Sequence, residues 1–106
     1  MVMRADIWLI DFDKPVGSVT QQRRPCVVVS PEEMDEYLST LIVAPMSTHE
    51  LPAPFRIPVR FMGKEGLILL DQICTMEKSR LIRKLGSVEE ETMAKALDVL
   101  QEVFAY

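Results

Sequence analysis

The chain has 106 residues and a mass of 12.1 kDa, and we expect residues 1–106 to form a single domain with one small core. Hydrophobic residues make up 48% of the sequence, which argues against disorder. The net charge of −4 counts against a nucleic-acid partner, because proteins that bind nucleic acids are usually basic. No apolar run approaches the ~20 residues of a membrane helix, and Asp6 and Asp11 interrupt the stretch that a signal peptide would need. We therefore expect a cytoplasmic protein with no membrane partner.

The first half of the chain predicts three strands and one short helix. Three apolar stretches rich in β-branched or aromatic residues predict the strands: Ala5–Phe12, Cys26–Val29 and Ser39–Ala44. The polar loop Asp13–Pro25 separates the first two, so Arg24 is expected just before the second strand. Ser30 can cap a brief helix, with Pro31 at its first position and Glu33 completing a capping box.

The middle of the chain predicts two more strands, Phe55–Phe61 and Leu67–Ile73. Pro58 confines the first of these to the edge of a sheet. A loop is predicted at Pro45–Pro54 and a turn at Gly63–Gly66. Thr75–Leu85 has two interpretations: a turn of helix followed by a short strand, or an irregular connection.

The C-terminus predicts a long helix, Val88–Ala105. Ser87 is expected to cap this helix, with Glu90 as its capping-box partner. Apolar residues then recur at helical spacing: Met93, Leu97, Leu100, Val103 and Phe104. With about five or six short strands before it, the helix predicts a mainly β fold, a small antiparallel barrel that the helix covers on one face.

Three polar segments border the predicted strands and are candidates for function. Arg24 precedes Pro25 and has an anchored backbone, and a guanidinium can grip a phosphate with two hydrogen bonds. Ser47–His49 follows one buried strand, and Asp71-Gln72 ends another. Each segment has a plain structural alternative: a solvated charge, an ordinary polar turn, or a half-buried carboxylate with satisfied hydrogen bonds.

Cys26 and Cys74 each lie in an apolar, strand-like run, and we expect two reduced core thiols. A disulfide is the main alternative, ahead of a catalytic or metal-binding role. Zinc would need further ligands, for which His49 is the one obvious candidate, so no metal or other cofactor is predicted.

Eight short motifs follow one another between Asp6 and Gln72: Asp6-Ile7-Trp8-Leu9, Asp11-Phe12-Asp13, Gly17-Ser18, Arg24-Pro25, Val28-Val29-Ser30-Pro31, Val43-Ala44-Pro45, Pro54-Phe55 and Leu70-Asp71-Gln72. In this order they resemble the MazF/PemK (Kid) toxin endoribonucleases of type II bacterial toxin–antitoxin systems. The predicted C-terminal helix extends the likeness over nearly the whole chain.

The resemblance implies an SH3-like β-barrel of the MazF/PemK/CcdB type, assembled as a homodimer. It also implies a toxin that cleaves single-stranded mRNA at specific sequences without a metal. The implied products carry a 2′,3′-cyclic phosphate and a 5′-hydroxyl. The implied partners are the RNA and a cognate MazE-like antitoxin, together with which such toxins bind DNA.

The family's essential arginine corresponds to Arg24 and its essential threonine to Ser47, with Thr48 adjacent. These three are therefore the expected catalytic residues. The aspartate implicated in the Kid branch corresponds to Asp71. We expect further residues of the same segments to bind RNA: Ser18, Gln22, Arg23, His49, Asp71 and Gln72.

The sequence departs from the family pattern at several positions. Val19 replaces a glutamate, Cys74 replaces an arginine, and Leu69 stands where the Kid branch has an arginine. Two alternatives therefore stay open: a catalytically decayed member that binds only its antitoxin, and a CcdB-like toxin that binds gyrase without cleaving RNA. The gyrase-binding branch relies on a tryptophan near its C-terminus, whereas the single tryptophan here is Trp8.

The acidic residues are unevenly distributed along the chain. Nine of the 16 fall in two predicted helical segments, Glu32–Glu36 and Glu89–Glu102, which contain one base, Lys95. The rest of the chain holds eleven basic and seven acidic residues. A mildly basic barrel beside two acidic helices is compatible with an RNA partner despite the negative total.

Overall fold

The computed structural model describes residues 2–12 and 23–105. Within these ranges the strands are β1 (Asp6–Asp11), β2 (Arg23–Val28), β3 (Thr40–Ser47), β4 (Arg56–Phe61), β5 (Lys64–Leu69), β6 (Cys74–Glu77) and β7 (Leu81–Ser87). The helices are α1 (Glu32–Tyr37) and α2 (Glu90–Val103), and two 3-10 turns occupy Leu70–Gln72 and Lys78–Arg80. The predicted mainly β fold with a C-terminal helix is confirmed, with seven described strands rather than five or six.

Every strand pairing is antiparallel, and the curled sheet runs in the order β4-β5-β3-β2-β1-β7, with β6 also paired to β3. Strand β3 is bound on both edges, because Val43 pairs with Val28 on one side and with Cys74 on the other. On that second edge β6 pairs with residues 40–43 and β5 pairs with residues 46 and 47. Pro45, which has no N–H to donate, lies in the gap between them.

Both faces of the sheet carry a core cluster. Successive side chains of a strand point to opposite faces and so contribute to different clusters. One core cluster contains Val27 and Ala44 and is covered by Met93 and Ala96 of α2. The second cluster, on the other face, has five buried members: Ile10, Cys26, Val28, Leu41 and Val43. The two faces therefore differ in one respect that matters below, since α2 covers only the first.

The C-terminal helix is confirmed, but it is shorter than predicted at both ends. Ser87 does not cap it: this residue lies in β7 and pairs with Asp6 of β1, so its backbone belongs to the sheet. The N-cap is Glu89, which makes no side-chain capping bond. At the other end Phe104 is 72% exposed, so it does not contribute to the core as its helical spacing predicted. No helix in residues 2–12 and 23–105 is long and apolar enough to cross a membrane.

The predicted cap of α1 is also wrong. The Ser30 hydroxyl donates to Oδ1 of the buried Asp35 at 2.7 Å and accepts from the Ile42 amide at 3.1 Å. The N-cap position belongs to Pro31, which makes no side-chain capping bond. The Ser30 side chain thus links α1 to β3 instead of capping the first turn of the helix. Its hydroxyl already has two hydrogen-bond partners, Asp35 and the Ile42 amide, so it does not need a backbone amide of that turn.

Several predicted boundaries shift because strand pairing extends further than the local sequence indicates. Strand β2 begins at Arg23, so Arg24 and Pro25 lie inside a strand rather than before it. Strand β3 continues through Ser47, and the loop begins only at Thr48. A two-residue turn at Met62-Gly63, with φ of 52° and 75°, joins β4 and β5.

The C-terminal boundary of β5 is also corrected, since the predicted strand Leu67–Ile73 ends at Leu69 and Asp71-Gln72 lies in a 3-10 turn. Beyond it, Thr75–Leu85 contains the end of β6, a 3-10 turn and most of β7. The first interpretation of this segment is the closer one, although it missed β6. The prediction that Pro58 lies on an edge strand is confirmed, because β4 ends the sheet order.

Gly66 allows β5 to approach β3 closely, and we expect Gly66→Ala to destabilise the fold. A Cβ at this position would lie 2.8 Å from the Ser47 carbonyl oxygen, which is backbone and cannot rotate away. The free energy of unfolding, measured by urea denaturation, should fall by about 1–3 kcal/mol. Gly86→Ala is the matched control, since its Cβ would meet only the Phe61 ring at 3.4 Å. Equal effects of the two substitutions would contradict the argument.

Candidate functional site

The three polar segments singled out in the sequence lie around the C-terminal end of β3. The start of β2, with Arg24, is on one edge of this strand, and Ser47 is its last residue. The 3-10 turn with Asp71 connects β5 to β6, which pair with the other edge of β3. Segments separated by more than 20 residues in sequence are therefore neighbours across one central strand.

The Arg24 side chain is half-buried and shares its face of β2 with Cys26. Its guanidinium carbon lies 5.9 Å from the centroid of the Phe12 ring, within the range of a cation–π contact. The positive charge is also felt by both thiols, where it opposes the effect of burial on their pKa values. Arg24 thus has a defined position, with an aromatic face supporting its planar group.

Ser47 has its hydroxyl oxygen fixed by the backbone that follows it. The amide of His49 donates to Ser47 Oγ at 3.1 Å. The hydroxyl hydrogen takes no part in this bond, so Ser47 can donate it to a ligand. Thr48 is exposed and lies beside Gly66 of β5. The two neighbouring hydroxyls therefore lie in different surroundings.

The register of β2 and β3 relates Arg24 to Ser47. The last pair of this ladder is Cys26 with Pro45, and continuing the pairing by two residues brings Arg24 opposite Ser47. Both then share the face of the second core cluster, since Cys26 and Val43 belong to it. Ser47 also lines, together with Thr48, a cavity of about 290 Å³ that continues to the β4–β5 hairpin.

Asp71 is held by Arg56, which the sequence analysis did not identify. Arg56 Nε donates to Asp71 Oδ1 at 3.2 Å, and Nη2 donates to Oδ2 at 3.0 Å. These hydrogen bonds lower the pKa of the Asp71 carboxyl from its ordinary value, with burial acting in the opposite direction. The predicted turn at Gly63–Gly66 does not give this pair, because the observed turn at Met62-Gly63 is what sets Arg56 opposite Leu69, two residues before Asp71.

The remaining expected RNA-binding residues are distributed around this site or lie outside the described part of the chain. Arg23, His49 and Gln72 are exposed, on β2, the loop after β3 and the 3-10 turn respectively. Ser18 and Gln22 fall outside the described residues. The structure therefore brings together the segments of Arg24, Ser47 and Asp71, and it adds Arg56.

The two cysteines are free thiols, as predicted; Cys26 is buried and Cys74 half-buried. They lie on strands flanking β3, and two strand spacings of about 10 Å exceed the reach of a disulfide. Burial, followed by the neighbouring Cys74, raises the pKa of Cys26 to about 12. Burial also raises the pKa of Cys74. Both groups are therefore neutral thiols beside Arg24.

We expect these thiols to react slowly with iodoacetamide, because the thiolate is the nucleophile. Cys26 can be followed in the Cys74→Ser protein and Cys74 in the Cys26→Ser protein. At mildly alkaline pH the Cys26 thiol of the folded protein should react at least about tenfold more slowly than the same thiol in protein unfolded by guanidinium. The rate at which folded Cys74 reacts should lie between these two rates. A folded Cys26 that reacts as fast as the unfolded one would contradict this assignment.

Comparison with known families shows the relationships of the whole chain. The model of a family described as "PemK-like, MazF-like toxin of type II toxin-antitoxin system" matches residues 3–104. The chain is 31% identical to Endoribonuclease EndoA of Bacillus subtilis (strain 168), over 95% of this chain and 92% of that protein. It is also 31% identical to Endoribonuclease MazF of Staphylococcus epidermidis, over 93% and 90% of the two chains.

Solved structures show the same fold. An endoribonuclease in complex with its cognate antitoxin, from Mycobacterial species, superposes with a TM-score of 0.83 at 18% identity, covering 100% of this chain and 99% of that one. MazF (Form-I) from Deinococcus radiodurans gives a TM-score of 0.79 at 19% identity, with coverage of 96% and 94%. These likenesses confirm the predicted fold class, a curled antiparallel β-barrel of the MazF type with a C-terminal helix.

Proposed function

Because the chain belongs to the PemK-like, MazF-like toxin family of type II toxin–antitoxin systems, we propose that it is a sequence-specific endoribonuclease of single-stranded RNA. The observation that supports this best is the register of β2 and β3, which pairs Cys26 with Pro45 and, continued by two residues, sets Arg24 opposite Ser47. A fixed cation next to a hydroxyl donor is what a scissile phosphate needs. We place the reaction in the cytoplasm, where mRNA is the available substrate.

The proposed reaction uses the RNA's own 2′-hydroxyl as nucleophile. Its oxygen attacks the adjacent phosphorus, the bond from phosphorus to the 5′-oxygen breaks, and the products carry a 2′,3′-cyclic phosphate and a 5′-hydroxyl. The 2′-hydroxyl loses a proton and the leaving 5′-oxygen gains one, so neither an oxidant nor a metal enters the balance. Arg24 stabilises the negative charge that builds on the phosphate oxygens. A guanidinium keeps its proton in proteins, so Arg24 is unsuited to act as a base.

Ser47 is the better candidate for the second donor. It shares the face of Arg24, and its oxygen is held by the His49 amide while its hydrogen can point to a phosphate. Thr48 lies beside Gly66 of β5, and both residues line the neighbouring cavity. We assign RNA contacts to the exposed Arg23, His49 and Gln72, and to Ser18 and Gln22 of the segment before β2.

We also propose that the chain acts as a homodimer and that a cognate antitoxin neutralises it. The mycobacterial endoribonuclease was solved with its cognate antitoxin, and the present chain matches that structure along its full length. The resemblance to this family implies an antitoxin that inserts an extended acidic segment into the RNA groove. The guanidinium of Arg24 is a group that such a segment can engage.

The two alternatives from the sequence are less well supported. A decayed member would not need to keep both Arg24 and Ser47, which the continued register of β2 and β3 sets opposite each other. For a CcdB-like gyrase poison, the chain lacks a tryptophan near its C-terminus, since Trp8 lies on β1. Trapped DNA breaks in a gyrase assay, together with intact RNA, would favour that second candidate.

We expect the purified protein to cut single-stranded RNA at a few sites in excess chelator. Arg24→Ala should reduce the cleavage rate by roughly 100–1000-fold, because it removes the charge that stabilises the transition state. Arg24→Lys keeps the charge but loses the planar fork, so it should recover only part of the rate. Arg60→Ala on β4 is the control for loss of a surface arginine. Cleavage that requires added metal, or that survives Arg24→Ala, would refute the mechanism.

The two hydroxyls can be separated by single substitutions. Ser47→Ala should lower kcat by roughly 100-fold or more, whereas Thr48→Ala should have a much smaller effect on kcat. Ser47→Thr restores a hydroxyl at the same position and should recover most of the rate. Single-turnover cleavage of one defined oligonucleotide measures all three. A larger loss with Thr48→Ala than with Ser47→Ala would reverse the assignment.

A further inference from the structure

Arg56 connects two segments of the site that are not adjacent in sequence. Besides its two bonds to Asp71, its Nη1 donates to the Leu51 carbonyl at 2.9 Å and lies 3.7 Å from Glu50 Oε2. Leu51 and Glu50 belong to the loop of residues 48–55 that joins β3 to β4, here called the 48–55 loop. One guanidinium therefore fastens this loop to the 3-10 turn.

We propose that Arg56 is a positioning residue that orients the Ser47 hydroxyl through the 48–55 loop. This inference rests on the proposed function, because Ser47 matters only if RNA is cleaved. The connection has three steps on the chain itself. Arg56 holds Glu50 and Leu51, these residues directly follow His49, and the His49 amide fixes Ser47 Oγ.

Among residues 2–12 and 23–105, the first part of the loop has few other contacts that hold it in place. The Leu51 side chain is 78% exposed, and residues 48–52 are all exposed, so the first part of the loop is not anchored by burial. Its second part is held by backbone bonds, from the Arg56 amide to Ala53 and from the Leu70 amide to Phe55. The polar contacts of Arg56 therefore restrain the part of the loop that is nearest to Ser47.

The same geometry reassigns Asp71. Both of its carboxylate oxygens accept hydrogen bonds from Arg56, and this pairing holds the pKa of the carboxyl below its ordinary value. Asp71 is thus an ionised anchor for Arg56 rather than a base or a direct contact for RNA. The Kid branch places an arginine at the position of Leu69, which is buried here, and Arg56 lies directly across the sheet from it.

The Arg56 and Asp71 side chains are 16% and 29% exposed, and an ion pair that keeps this contact with solvent adds only modestly to global stability, so the effect of Arg56 should be mainly local. We expect Arg56→Ala to leave the urea midpoint nearly unchanged, while the amides of residues 48–51 exchange faster with deuterium. The kcat for RNA should fall by roughly 10–100-fold, because a misplaced donor no longer meets the phosphate. Arg56→Lys keeps the charge but lacks the fork that spans Asp71 and Leu51, so its loss should be intermediate.

The decisive measurement is a double-mutant cycle with Ser47→Ala. If Arg56 acts through the Ser47 hydroxyl, Arg56→Ala should cause no further loss once that hydroxyl is gone. Arg60→Ala is the matched control, since Arg60 is an exposed arginine of the same strand that pairs with Glu65 in the hairpin. It should change neither exchange of the loop nor kcat.

The possible failures are distinguishable. Unchanged exchange at residues 48–51 in Arg56→Ala would overturn the positioning role, whatever the activity. Faster exchange with an unchanged kcat would show that the loop does not position a catalytic group. If Arg56→Ala lowers kcat as much in the Ser47→Ala protein as in the wild type, Arg56 does not act through the Ser47 hydroxyl. If the wild-type protein does not cleave RNA at all, the proposed function fails, and with it the role assigned to Arg56 in catalysis. The exchange measurement would still test the contact itself.

Discussion

The pairing of β3 on both of its edges is the constraint on which the site depends. One strand is hydrogen-bonded to β2, β5 and β6, and its last residue is Ser47. Because backbone ladders hold the strands about 5 Å apart, side chains from distant parts of the sequence meet at the end of β3. Ser47 is therefore presented by a rigid strand, while the residues after it belong to a loop that needs its own restraint.

The described charges around Arg24 leave its guanidinium available to a phosphate. The thiols near Arg24 stay neutral because burial raises their pKa values, and the Phe12 ring beneath the guanidinium carries no net charge. The Asp71 carboxylate is already paired with Arg56. Cys74, which replaces the arginine of the family pattern, removes a second cation from this region. In the proposed mechanism Arg24 therefore acts without that second cation.

Sequence reasoning was successful where a pattern has a single physical cause. The alternation of β1, the edge position that Pro58 requires and the apolar spacing of α2 all identified their elements correctly. It failed where tertiary partners replaced local ones. Ser30 and Ser87 have the sequence context of helix caps, but one is bound by Asp35 and Ile42 and the other is paired in a strand.

The site was predicted in part for the same reason. Arg24, Ser47 and Asp71 were recognised from short motifs, because each motif is local in sequence. Arg56 was missed, since its importance comes from the β4–β5 register and from a loop that folds back over it. The extension of β2 and β3 into polar residues also required knowledge of the neighbouring strands, which no single segment contains.

The position of α2 places a large part of the negative charge of the chain on one side of the sheet. The helix covers the core cluster on one face of the sheet, and Arg24 lies on the face of the other cluster. The exposed acids of α2, which include Glu90, Glu91 and Asp98, therefore project on the side away from the guanidinium. A polyanion approaching the helix is repelled, while one approaching the opposite face meets Arg24. The net charge therefore says less about binding than the direction along which the acids of α2 and the guanidinium of Arg24 are separated.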